Sequence, residues 1–305
     1  MTNTLRSSLA VALLVCGCKT QPAPADGTST PAPADAAAPA TPETVSSVDD
    51  AWGGRLFDRW YGELKLDFKP GESGGPRGDG SLLGPDGAPR AAKGHSYRLK
   101  NFFGWDLRGA DGIYGPAYQN KPYVSKRNLL STTQSVDELI VWLAQGDEEI
   151  PAYGDVLDED ALRATATFIH KMQAGELPGP ERVWRLSKDA PKNYVLNEGA
   201  DVEAGRTAYA DSCSHCHGED GTDIDIHGSS VGAYMRSKAY EGWIKVINGH
   251  PASGMEREIE FASADEAAAV TLNIIAALCD RTVFPPLEGK DDVADGDLRC
   301  GGYLE

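Results

Sequence analysis

One run of five residues constrains this 305-residue chain more than any other: Cys213-Ser214-His215-Cys216-His217. With 6 Cys and 6 His in the whole sequence, chance would place a CxxCH in roughly two such chains in a thousand. Cysteines three positions apart share one helical turn and turn both thiols to the same side, with the next imidazole close by. That is the attachment pattern for a c-type haem: the thiols reach the two vinyl groups and His217 lies under the iron as proximal ligand. A CxxC also serves as a thioredoxin-like redox pair or as half of a zinc site, but no second CxxC is present and no βαβ pattern surrounds this one. His215 is read as a bystander. The expectation is one covalent haem c per chain.

The flanking residues resemble a class I cytochrome c domain over roughly 198–280. Gly205-Arg206-Thr207-Ala208-Tyr209 precedes the motif on an expected N-terminal helix, where a glycine lets a second helix cross closely. Ala262 to Leu278 is expected as that crossing helix, begun by Ser263 with Asp265 and Glu266 in its first turn, as capping and the helix dipole favour. Between them, Gly249-His250-Pro251 and then Gly254-Met255 look like the loop that supplies the sixth ligand. The resemblance assigns that ligand to Met255. His250 and His227 are the rivals, and either would give bis-histidine ligation with a lower potential. Two positions depart from the family: Glu256 stands where proline follows the methionine, and no Gly-Pro follows His217 to fix its ring.

The chain also resembles itself. Gly54-Arg55-Leu56-Phe57 matches Gly205-Arg206-Thr207-Ala208, Asp137-Glu138-Leu139-Ile140 with Gly146 matches Tyr240-Glu241-Gly242-Trp243 with Gly249, and Ala161 to Ile169 matches Ala267 to Ile275. Residues 48–173 therefore look like a degenerate cytochrome c-like domain without haem. Leu99-Lys100-Asn101-Phe102-Phe103 stands at the place for CxxCH, and Ile150-Pro151 at the place for the distal methionine. Burial of Leu99, Phe102, Phe103 and Ile150 would fill part of the vacated volume, each contributing about 2 kcal/mol. The Gly- and Pro-rich stretch Lys65 to Ser96 reads as a surface insertion.

The expected fold class is all-α, with two tandem cytochrome c-like helical domains preceded by a signal peptide and a disordered linker. Residues 1–17 carry Arg6 and a short apolar run, too short to cross a bilayer, as in an export signal. Val15-Cys16-Gly17-Cys18 resembles the lipobox of bacterial lipoproteins, which would make Cys18 the lipid-bearing first residue of the mature chain. Residues 18–47, rich in Ala, Pro, Thr and Ser, read as a disordered tether. The remaining boundaries are 48–173 for the haem-free domain, 174–197 for a linker, and 198–305 for the haem domain with its tail. Cys279 and Cys300 are the cysteines left over, and in an exported chain they are expected to form a disulfide that pins the tail, worth roughly 3 kcal/mol. Asp291, Asp292, Asp295 and Asp297 read as a solvated face rather than a calcium site.

Charge narrows the function. The chain has 29 Lys and Arg against 46 Asp and Glu, a net charge of −17, with no basic cluster to neutralise phosphates, so nucleic-acid binding is not expected. Residues 200–305 hold 8 basic and 20 acidic side chains and so carry −12 of that total. No flavin or nicotinamide fingerprint and no GxSxG or HExxH motif is present, so the chain is not expected to be an enzyme by itself. The expectation is an electron-transfer cytochrome c lipoprotein, anchored by lipid in the bacterial cell envelope and facing the periplasm or the exterior. Its redox partner would present a basic face. The alternatives are a haem-bearing subunit of a larger envelope oxidoreductase, with the haem-free domain as docking surface, and a haem sensor in which Met255 is displaced by a signal molecule.

Overall fold

A computed structural model describes residues 50–90 and 97–305. The export signal, the tether and Cys18 lie outside the described residues. In chain order the helices are α1 (Asp50–Glu63), α2 (Leu99–Phe103), α3 (Val136–Gln145) and α4 (Glu159–Ala174), followed by strands β1 (Trp184–Leu186) and β2 (Tyr194–Leu196). After them come α5 (Val202–Ser212), α6 (Ser214–His217), α7 (Val231–Asn248) and α8 (Ala264–Ala277).

The helix ends follow local chemistry. Ser135 and Glu138 form a reciprocal capping box at the start of α3. Asp158 caps α4 by accepting from the Ala161 N–H, and Ser263 caps α8 by accepting from Glu266. The crossing helix expected from Ala262 to Leu278 is thus α8, begun at the expected serine.

Two helix crossings organise the fold, α1 on α4 and α5 on α8. Each depends on one glycine: a Cβ on Gly205 would lie 2.0 Å from the Asn273 carbonyl oxygen, and a Cβ on Gly53 would lie 2.1 Å from that of Ala164. The repeat is therefore shifted by one residue from the sequence match, which aligned Gly54 with Gly205. Gly54 faces another way, since its Cβ would meet the Asn248 side chain on α7 at 2.2 Å. Adjacent positions on a helix point about 100° apart, so the Gly53-Gly54 pair lets α1 approach two neighbours at once.

The expectation of an all-α chain in two tandem cytochrome c-like helical domains is corrected on two counts. First, β1 and β2 pair antiparallel, with Trp184 opposite Leu196. These strands lie in residues 174–197, read from sequence as a linker. Three-residue strands are too short to leave a periodic signal, yet they carry the buried Trp184, Tyr194 and Leu196. The helical conformation of α7 breaks at Lys238, and there the Tyr194 hydroxyl accepts the Ala239 N–H at 3.0 Å. A side chain thereby replaces a lost helical hydrogen bond. Second, the halves are not separate: one contiguous core runs from Leu56 through Trp105, Trp184 and Trp243 to Cys300.

A buried ion cluster joins the halves. Asp58 of α1 is 2% exposed. It pairs with Lys245 of α7, with Arg98 at 2.6 Å and with Lys100 at 3.9 Å. Lys100 and Lys245 also lie over the Trp105 ring, 3.9 and 5.0 Å from its centre. Burial alone would raise the Asp58 pKa, but the charges of Lys245, Lys100 and Arg98 outweigh it and hold the carboxyl well below its ordinary value. Burial pushes Lys100 down to about 7.

The C-terminal tail is held in three ways. Cys279 and Cys300 form a disulfide, with their Cα atoms 6.0 Å apart. The fully buried Arg236 of α7 donates to the carbonyls of Leu278 and Phe284 and pairs with Asp292. Arg299 pairs with Asp297 and donates to the Ser237 carbonyl. Asp292 and Asp297, read from sequence as solvated, are thus structural ion-pair partners. The stretch read as a surface insertion, Lys65 to Ser96, also reaches the core: Phe68 stacks 4.9 Å from Trp60, and Leu82 is fully buried.

The ion cluster makes a prediction about stability. Asp58→Ala leaves two buried lysines and the partly buried Arg98 without their anion and should cost about 3–5 kcal/mol in urea unfolding. Lys100→Met should cost under about 1.5 kcal/mol, because Asp58 keeps Arg98 and Lys245 and a buried ammonium is removed. The lowered Asp58 pKa means that its contribution is complete above about pH 4 and is lost as the pH falls below that.

Candidate haem-binding site

The attachment motif begins where α5 ends. Cys213 donates its N–H to the Tyr209 carbonyl and closes α5, and the next residue starts the single turn of α6. The turn stops at Gly218, at φ 83° and ψ 162°, a conformation that suits glycine. The Tyr209 hydroxyl donates to the Gly218 carbonyl at 2.8 Å, and its ring packs 4.7 Å from Phe284. One buried tyrosine thus ties the end of the motif back to α5.

On this turn both thiols are free, Cys213 half-buried and Cys216 exposed. Burial raises the Cys213 thiol to about 11, and the charges of Glu258 and Cys216 add to that. His217 is half-buried, and its Nδ1 is enclosed without a hydrogen-bond partner. Burial, and then the charge of His215, lowers its pKa, which favours the neutral imidazole that binds metals.

Met255 is half-buried in the irregular loop after α7. That loop closes on itself: the His250 N–H donates to the Met255 carbonyl at 2.8 Å, the Ser253 hydroxyl donates to the His250 carbonyl, and the Met255 N–H donates to Ser253 Oγ. Of the rivals, His227 is exposed, with a left-handed φ of 54°. Burial and then the charge of Lys245 push His250 down to about 4.

The first half repeats this framework with different side chains. α2 ends at Gly104, φ 76° and ψ 170°, as α6 ends at Gly218. Leu99, Phe102 and Phe103 therefore occupy the places of Cys213, Cys216 and His217. The loop after α3 closes through an Asp147 N–H to Ile150 carbonyl bond, so Ile150 stands where Met255 does. All four replacements are buried, none more than 5% exposed.

The residues fit the group that the spacing implies. Two free thiols and an imidazole with an enclosed, unpartnered Nδ1 share one turn, and an imidazole held so suits an iron already carried by a macrocycle. Among the described residues no group of three or more His, Cys, Asp or Glu side chains is placed to hold a bare ion. No described helix is long and apolar enough to cross a membrane. No family model matches the chain, and no solved structure is significantly similar to it.

Sequence reading missed Tyr209 as the anchor of the motif, and it missed the grip of α1 on the Met255 loop. Neither leaves a local signal, because each depends on a partner distant in the chain or on a carbonyl that any residue supplies.

The two thiols should differ before haem is attached. With its pKa near 11, Cys213 is thiolate in only about one molecule in a thousand at pH 8. Alkylation of haem-free protein should therefore mark Cys216 well before Cys213, as read by peptide mass spectrometry. Equal rates at the two positions would contradict the burial of Cys213.

Proposed function

We propose that this chain is a monohaem c-type cytochrome that passes single electrons between partners in the bacterial cell envelope, anchored through lipid on Cys18. The observation that carries the reading is the α6 turn, which sets two free thiols and an imidazole with one enclosed, unpartnered nitrogen side by side. Haem c, when bound there, supplies a one-electron couple. Cys213 and Cys216 would each add an S–H across a vinyl group, forming thioether bonds with no leaving group. His217 would be the proximal ligand and Met255 the distal one. Tyr209 holds the turn in place, and burial keeps the His217 imidazole neutral.

The first half has apolar side chains at all the corresponding positions, so the reading requires one haem per chain. A pyridine haemochrome assay should return that ratio, and two haems would refute it. Ferric protein should show the weak thioether-to-iron absorption at the red end of the spectrum, and Met255→Ala should abolish it. If that band is missing and His250→Ala alters the spectrum instead, the distal ligand is His250.

The partner follows from charge. Asp211, Glu219, Asp220, Asp223 and Asp225 are all exposed on both sides of the motif in sequence. Opposite charge speeds encounter more than it tightens a complex, so the redox partner should carry a basic face around its own cofactor. Association rates should fall steeply as salt rises and the Debye length shrinks to about 8 Å at 0.15 M. A rate independent of salt would mean that docking does not use this acidic surface.

A further inference from the structure

The loop that carries Met255 is gripped by a helix from the other half of the chain. The N–H of Ala252, whose φ of 59° is unfavourable for a residue with a side chain, donates to Glu63 Oε2 of α1 at 3.0 Å. Glu63 is oriented in turn by Arg55, which donates to Glu63 Oε1 at 2.8 Å and to the Asn248 carbonyl at 3.0 Å. On the far side of Met255, Arg257 donates to the Ile247 carbonyl at 2.7 Å and pairs with Asp50 of α1 at 2.9 Å. Asp50, 7% exposed, is also paired with Lys171 at 3.1 Å. One carboxylate therefore holds the loop three residues before Met255, and another holds it two residues after.

We propose that Asp50 and Glu63 are positioning residues for Met255, and that α1 thereby sets how readily the sixth position opens to an outside ligand. This rests on the reading of His217 and Met255 as axial ligands. The hydrogen bonds between His250 and Met255 shape the turn, and the Arg257 bond to the Ile247 carbonyl ties the loop to α7, but none of these attaches it to α1. The two carboxylates supply that attachment, and one of them also stabilises the strained backbone of Ala252. The half without a CxxCH would then act as the support for the distal side of the other.

The test uses haem-loaded full-length protein with its ferric form titrated with imidazole. Glu63→Ala and Asp50→Asn should each raise imidazole affinity about tenfold, the size expected for loss of one charged hydrogen bond. Haem content and the thioether absorption without imidazole should stay unchanged. Glu63→Gln, whose amide oxygen can still accept from Ala252, should fall between wild type and Glu63→Ala. Amide exchange across residues 249–257 should quicken in the same order, with residues 202–212 unaffected. Wild-type imidazole affinity and wild-type exchange in both variants would overturn the proposal. If Glu63→Ala yields no folded holoprotein, Asp50→Asn decides by the same two measurements. A wild type lacking the thioether absorption would instead overturn the axial-ligand reading, while loop exchange still reports on the clamp.

Discussion

Asp58 is a carboxylate removed from water and placed among three cations, and the relation between the halves depends on it. A buried anion is tolerable only if paired, and its partners come from both sides: Arg98 and Lys100 from the first half, Lys245 from α7 in the second. Trp105 lies beneath two of those cations. With this cluster in place, α1 and α7 stay in register. That in turn brings Arg55 onto the Asn248 carbonyl and Glu63 onto the loop beyond.

The repetition inside the chain is more exact in backbone than in side chains. Two glycine-dependent crossings, two short turns ended by glycines of nearly the same φ and ψ, and two loops closed by the same kind of backbone bond recur in order. Only the chemistry differs. At the turn in the first half, leucine and two phenylalanines occupy core volume; at the turn in the second, two thiols and an imidazole remain partly open to solvent. The same backbone geometry accommodates either set of side chains because glycine positions and helix crossings are set by close packing, which is insensitive to what the turn displays.

Legibility varied with the range of the interaction concerned. The α6 motif, the Ser263 cap and the Cys279–Cys300 pairing were readable because each rests on spacing or on a small set of residue types. The one-residue shift from Gly54 to Gly53 was not, since either glycine satisfies the pattern and only the Ala164 carbonyl distinguishes them. Asp292 and Asp297 were misread for a similar reason, whereas Asp291 and Asp295 are exposed as expected. Asp292 looks like any solvated acid until the fully buried Arg236, 56 residues earlier, is placed against it.

The sequence by itself determined where haem chemistry could reside, because two thiols and an imidazole in CxxCH form their geometry within one turn and need no distant partner. It also put apolar side chains, Leu99, Phe102, Phe103 and Ile150, at the corresponding positions of the first half. Only the tertiary structure decided that the halves share one core, that a strand pair caps the kink in α7, and that carboxylates of α1 grip the loop bearing Met255. Those features arise from charges and carbonyls brought together across many residues, and local patterns carry no record of such pairings.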